Sequence, residues 1–177
     1  MDLLVREARE EDLDALLALY EELADRPSAR GAGSEQSLLV LRGMLSDPDR
    51  HLLVAELDGA VVGTVDLLIA ANLTHAAKPW GIVENVVVAE RARRRGVARA
   101  LMGRLFEIAS SAGCYKVQLL SGNRREDAHA MYRALGMDAM ATGFKIYFAS
   151  APEAQTSSPQ TAFARAIDLE RGLDGLA

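Results

Sequence analysis

A single cysteine, Cys114, leaves this chain of 177 residues without any internal disulfide, which fits a reducing compartment. A basic excess is also missing. The net charge is -5, and nucleic-acid binders usually carry a basic face, so no nucleic-acid partner is expected. No apolar run reaches transmembrane length, and the opening MDLLVREAREED holds no long apolar region. Neither a membrane span nor a signal peptide is expected, and the expected location is cytoplasmic. Internal repeats are absent. His51, His75 and His129 are scattered, so no metal site is expected. Neither G-x-G-x-x-G nor a phosphate-loop lysine pattern occurs, which argues against a plain nucleotide-binding domain.

What remains is an ordinary globular composition, 50% apolar and 25% charged, long enough to bury one core. Leu3 to Arg6 is β-prone. Leu13, Leu16, Leu17, Tyr20 and Leu23 recur at helical spacing over Glu10 to Ala24, with acids in the first turn. Pro27 to Gly33 reads as a loop, and Ser34 to Leu45 as a helix ended by Asp47-Pro48. His51 to Leu57 and Val61 to Ala70 read as strands of a hairpin turning at Asp58-Gly59. Gly81 to Ala89 is a valine-rich strand, Gly96 to Ala112 a helix stopped by Gly113, and Tyr115 to Leu120 a strand. Glu126 to Leu135 is a helix ended by Gly136, and Phe144 to Phe148 a last strand. The order β-α-α-β-β-β-α-β-α-β predicts an α+β fold: a mixed sheet with helices on its faces. Residues 1–149 form the expected domain. Residues 150–177 read as a Pro/Ser/Thr/Gln-rich linker followed by a short amphipathic helix over Thr161 to Leu173.

Chemistry concentrates between Glu84 and Arg99. A strand, ENVVV, runs into a basic turn carrying Arg91, Arg93, Arg94 and Arg95, and a helix opens at Gly96. A helix N-terminus offers free N–H groups and positive partial charge. Gly96 and Ala98 let a ligand approach the backbone, and the arginines together with Arg99 add phosphate-pairing cations. The segment therefore reads as an anion site suited to a pyrophosphate. Strict alternation along the strand sets Val83, Asn85 and Val87 on one face and Glu84, Val86 and Val88 on the other, with the cleft-lining face left open.

Arg93-x-x-Gly96-x-Ala98 resembles the Q/R-x-x-G-x-G/A motif of the GNAT (GCN5-related N-acetyltransferase) superfamily. ENVVV, the helix after Gly96, Tyr115 to Leu120 and Ala128-x-x-x-Tyr132-x-x-x-Gly136-Met137 follow in the family's order. The resemblance covers roughly residues 3 to 149. It implies a largely antiparallel sheet, two strands splayed at a cofactor cleft, a homodimer, and acetyl transfer from acetyl-coenzyme A to an amine of a small molecule or peptide. It implies that Val86, Val87 and Val88 pair with the pantetheine arm, and that Arg93, Arg94, Arg95, Gly96, Val97, Ala98 and Arg99 hold the pyrophosphate. Tyr132 matches the tyrosine that protonates the departing thiolate. Glu84 is the candidate base or water-ordering carboxylate, set against a structural or dimer-contact role. Asn123, two residues before the family's usual asparagine position at Arg125, is the candidate contact to pantetheine or substrate. Trp80, His75 and Lys78 are expected on a loop near the acceptor. The stretches Val83–Val88 and Gly113–Val117 are similar to the branch that acetylates glucosamine 6-phosphate, but Ser121 to Arg125 is a longer loop with no acid before Glu126. An amino-sugar phosphate and a non-catalytic acyl-coenzyme A sensor are the alternative readings.

Overall fold

The computed structural model describes residues 2–23 and 34–146. Strand β1 (Leu3–Glu7) is followed by a 3-10 turn, helix α1 (Leu13–Leu23) and helix α2 (Ser34–Ser46). Strands β2 (Arg50–Leu57), β3 (Ala60–Ala70) and β4 (Trp80–Val88) then run in succession. Helix α3 (Val97–Ser111), strand β5 (Val117–Leu119) and helix α4 (Glu126–Ala134) complete the elements. The sheet order is β1-β2-β3-β4-β5, antiparallel throughout except for the parallel β4–β5 pair. This is the mixed, largely antiparallel α+β sheet that the sequence predicts. The Asp58-Gly59 turn has φ of 51° and 83°, the left-handed pair that a two-residue hairpin turn requires.

Two departures from the sequence expectations stand out. Phe144 to Ile146 carry no strand, and the rest of the expected last strand lies outside the described residues. The loop Pro27–Gly33, the 149/150 boundary and the Thr161–Leu173 helix also lie outside them. By its contacts the chain divides into Met1–Ala141 and Thr142–Ala177. The second departure is in β4. Thr64 pairs with Val87 but Asp66 pairs with Glu84, so β4 holds one residue more than β3 across that interval. Asn85, at φ 56°, sits in this bulge. Directly opposed residues share a face. Glu84 and Val87 therefore lie on one face with Thr64 and Asp66, while Val83 and Val88 lie on the other with Leu67 and Gly63. The strict alternation expected for Glu84, Val86 and Val88 is broken by the bulge.

The two faces carry different cores. Leu101, Met102 and Leu105 of α3 pack with Leu53, Val65, Leu67 and Val83 on one side. A Cβ on Gly63 would meet Val97 and Leu101 at 3.0 and 3.2 Å, so only glycine lets α3 lie this close to β3. On the other side, Leu16 of α1 and Leu41 of α2 pack on Leu52 and Val54.

The strand-to-helix entry at β1 is held by charge. Asp12, 4% exposed, accepts from Arg6 Nη1 and Nη2 at 2.7 and 2.9 Å and from the Arg9 backbone N–H at 2.8 Å. These bonds, Arg6 first, hold the Asp12 carboxyl below the usual range, against the opposing effect of burial. Replacing Asp12 with alanine leaves the Arg6 cation part-buried and one partner short, and is expected to cost about 3 kcal/mol, read as a lower urea midpoint. Because the folded value is depressed, Asp12 stabilises the fold at neutral pH. That contribution is lost as pH falls below the ordinary carboxylate value and through the folded one. The gap between wild type and Asp12→Ala should therefore close in acid.

Candidate active site

β4 and β5 are paired only from Gly81–Val117 to Val83–Leu119. β5 then ends, while β4 continues through Glu84 to Val88. That half of β4 has no strand beside it on the β5 edge among the described residues, so its peptide groups face an opening. The bulge at Asn85 marks where the opening begins.

The opening leads to a turn built for anions. After β4, a 3-10 turn (Glu90–Ala92) closes with Ala92 N–H donating to Ala89 O at 2.8 Å. Arg94 and Gly96 then both adopt left-handed φ, 61° and 81°. Gly96 is the N-cap of α3 and receives the first helical bond from Ala100 N at 3.0 Å. Gly96 makes no side-chain cap bond, and among the described residues none closes this terminus, so the N–H groups of the first turn stay available. Left-handed residues in such a turn swing successive N–H groups toward one point, a concavity that suits phosphate. A Cβ on Gly96 would meet nothing within 4 Å, so the space over this backbone is open. Arg93, Arg94, Arg95 and Arg99 are exposed around it, and Arg93 Nε donates to Val88 O at 3.3 Å. Val97 is only 2% exposed and packs toward Gly63. Its side chain is core, so only its backbone can face a ligand. The donor set and the uncapped, open helix start fit a pyrophosphate, and the free edge of β4 fits an extended amide-bearing arm.

Tyr132 lies on α4. Met137 N–H donates to Tyr132 O at 3.1 Å and Gly136 N–H to Arg133 O at 3.0 Å, with Gly136 at φ 84°. This paired helix stop explains the Tyr132-x-x-x-Gly136-Met137 spacing: the glycine fixes the helix end three residues beyond the tyrosine's neighbour. The ring is 7% exposed and belongs to the core that includes α3. Burial pushes the phenol above its ordinary value, with Arg125 acting weakly in the other direction. Asn123 is exposed in the turn closed by Arg125 N–H donating to Gly122 O at 3.0 Å, just before α4.

Glu84 is exposed on the α1/α2 face, directly across from Asp66. Asp66 is 3% exposed and held by Arg50, whose Nε donates to Oδ1 at 3.0 Å while Nη2 pairs with Oδ2. Tyr20 of α1 lies near this pair. Burial, then the Asp66 carboxylate, pushes its phenol up to about 12, with Thr64 and Arg50 acting in the other direction. The Ser121 hydroxyl, two residues past the end of β5, is buried without a hydrogen-bond partner among the described residues. Sequence reasoning gave no site role to Arg50, Asp66, Tyr20 or Ser121. Only Asp66 left a signal, as a lone carboxylate inside the apolar run Val61 to Ala70. Among the described residues no group of three or more His, Cys, Asp or Glu side chains is placed to hold a metal. No helix there is long and apolar enough to cross a membrane.

The model of the acetyltransferase (GNAT) family matches residues 3–137. The chain belongs to that family. A glucosamine 6-phosphate N-acetyltransferase of Trypanosoma brucei brucei is 32% identical over 141 residues, 78% of this chain and 91% of the relative. An aminoglycoside N(6')-acetyltransferase type 1 of Serratia marcescens is 29% identical over 129 residues, 71% of this chain and 85% of the relative. The crystal structure of glucosamine-6-phosphate N-acetyltransferase from Arabidopsis thaliana superposes with a TM-score of 0.75 at 21% identity. It covers 84% of this chain and 99% of that one, a likeness in fold alone. This GNAT protein is an acetyl-coenzyme A-dependent N-acetyltransferase acting on an amine, which displaces the sensor reading.

Proposed function

We propose that the amine is acetylated by direct attack within the opening between β4 and β5, with residues of this opening in distinct roles. The observation that carries the reading is the unpaired half of β4 leading into the turn with left-handed Arg94 and Gly96. In this reading the co-substrate supplies a thioester carbonyl. Backbone groups of Val86, Val87 and Val88 align the pantetheine arm, and one β4 N–H polarises the carbonyl oxygen. Arg93, Arg94, Arg95, Gly96, Val97, Ala98 and Arg99 hold the pyrophosphate, the valine through its backbone alone. Asn123 contacts the arm from the turn before α4. Glu84 takes up the proton that the amine sheds, directly or through water. Tyr132 donates its proton to the leaving sulfur. Most of the rate advantage comes from proximity and orientation, with proton transfer added.

The identity to the trypanosomal enzyme favours an amino-sugar phosphate as the more specific acceptor reading. Residence in the cytoplasm and a homodimer belong to the same proposal, the first supported by the lone free Cys114 and the second by family likeness. Calorimetric titration with acetyl-coenzyme A, followed by mass spectrometry of an amine panel, tests the function. Binding in the micromolar range, with one panel member gaining an acetyl group, is expected. Folded protein that fails to bind acetyl-coenzyme A overturns it.

A further inference from the structure

The sheet face beneath α1 and α2 is left open at one end. Leu68 is 37% exposed, Ile82 is half-buried, and Gln118 is exposed. Cross-strand register joins Arg50, Leu68, Ile82 and Gln118 in one row. The Cβ direction of Gly81 points at Leu67 and Val117 on the α3 side. Trp80 and Ile82, its strand neighbours, therefore face the open side, as do Lys116 and Gln118, which flank Val117.

At the far end of this face Lys116 Nζ sits 4.3 Å from the centroid of Trp80 and 5.5 Å from that of Tyr115. His75 stacks on Tyr115 with ring centroids 3.9 Å apart. Two aromatic faces hold an ammonium in place without neutralising it. Lys116 forms no ion pair with a carboxylate of the described residues, and neither does Glu84 at the opposite end form one with a cation. Arg50, the cation at the end of that row, is already matched by Asp66. Among the described residues the face is thus bipolar: a carboxylate without an ion-pair partner beside the opening, an apolar middle at Ile82 and Leu68, and an ammonium without one over Trp80. Glu84 and Trp80 are four strand residues apart, about 13 Å.

We infer that this face seats the acceptor, and that the acceptor is an amine carrying a phosphate or phosphonate, with its nitrogen at Glu84 and its anion at Lys116. The inference rests on the proposed transfer at the β4–β5 opening. Charge complementarity selects the occupant. A polycation would meet Lys116 unfavourably, whereas a phosphate gains a charge-assisted hydrogen bond there. Lys116 is a specificity residue and takes no part in the chemistry.

The test compares glucosamine with glucosamine 6-phosphate, and propylamine with 3-aminopropylphosphonate, for wild type, Lys116→Met and Lys116→Arg. Methionine keeps a stem over Trp80, and thermal midpoints report folding. For at least one pair, wild type should favour the anionic member at least tenfold in kcat/KM, mainly through KM. Lys116→Met should bring that ratio below about threefold, Lys116→Arg should restore most of it, and added salt should shrink it in wild type. A wild-type ratio near one in both pairs, or a ratio that survives Lys116→Met, overturns the inference. So does acetyl-coenzyme A binding without acetylation of any of the four, an outcome that leaves the donor site standing. Absence of acetyl-coenzyme A binding instead overturns the proposed function, and this inference with it.

Discussion

Replacing Tyr132 with phenylalanine is expected to lower the rate of acetyl transfer by about a hundredfold, the low end of what a positioned acid contributes. The ring is 7% exposed and the helix stop at Gly136 bonds to its backbone, so both survive the substitution. Stability should change by about 1 kcal/mol at most. The lost group is one hydroxyl. Burial holds that hydroxyl above the ordinary phenol value, so the proton-donating form persists to higher pH than a free tyrosine would allow. Wild-type turnover should show no alkaline loss attributable to Tyr132 until pH passes the unperturbed phenol value near 10. Rapid-quench single turnovers read the chemical step apart from product release. A Tyr132→Phe enzyme that transfers acetyl at more than half the wild-type rate would remove Tyr132 from the mechanism, and the acid would then have to be water.

Legibility in the sequence differed sharply between parts of this site. The helix ends at Gly113 and Gly136 were readable because only a residue tolerant of φ near +80° closes them, and glycine announces itself. The Arg93–Ala98 turn was readable for the same reason, since its glycine precedes a helix and follows a strand. β1 to β5 were readable from apolar runs and from Asp58-Gly59. The bulge at Asn85 was not. It consists of one extra residue in β4 relative to β3, and such a count exists only between two paired strands. It puts Glu84 and Asp66 side by side, a pairing that sequence spacing alone cannot supply. The association of Arg50 and Tyr20 with Asp66 was unreadable for a similar reason, since Asp66 becomes their neighbour through register and helix packing.

Gly96→Glu carries the largest expected effect on the donor. Two consequences of the same geometry separate binding from folding. With φ at 81°, any side chain at residue 96 is held in the left-handed region, a strain of about 1–2 kcal/mol. Nothing lies within 4 Å of the new Cβ, so no clash adds to that. A carboxylate at the start of α3 also meets the positive end of the helix, which returns about 0.3–1 kcal/mol. The net loss of stability should therefore stay near 1 kcal/mol. Binding responds otherwise. The carboxylate takes the N–H groups a phosphate would use and repels its charge. Acetyl-coenzyme A affinity should fall at least a hundredfold by calorimetry, while Gly96→Ala, with strain but no charge, should lose less than tenfold. A Gly96→Glu protein binding as tightly as wild type would place the pyrophosphate away from α3. Equal losses in both variants would mean that backbone conformation, and not occupation of the N–H groups by charge, sets the affinity.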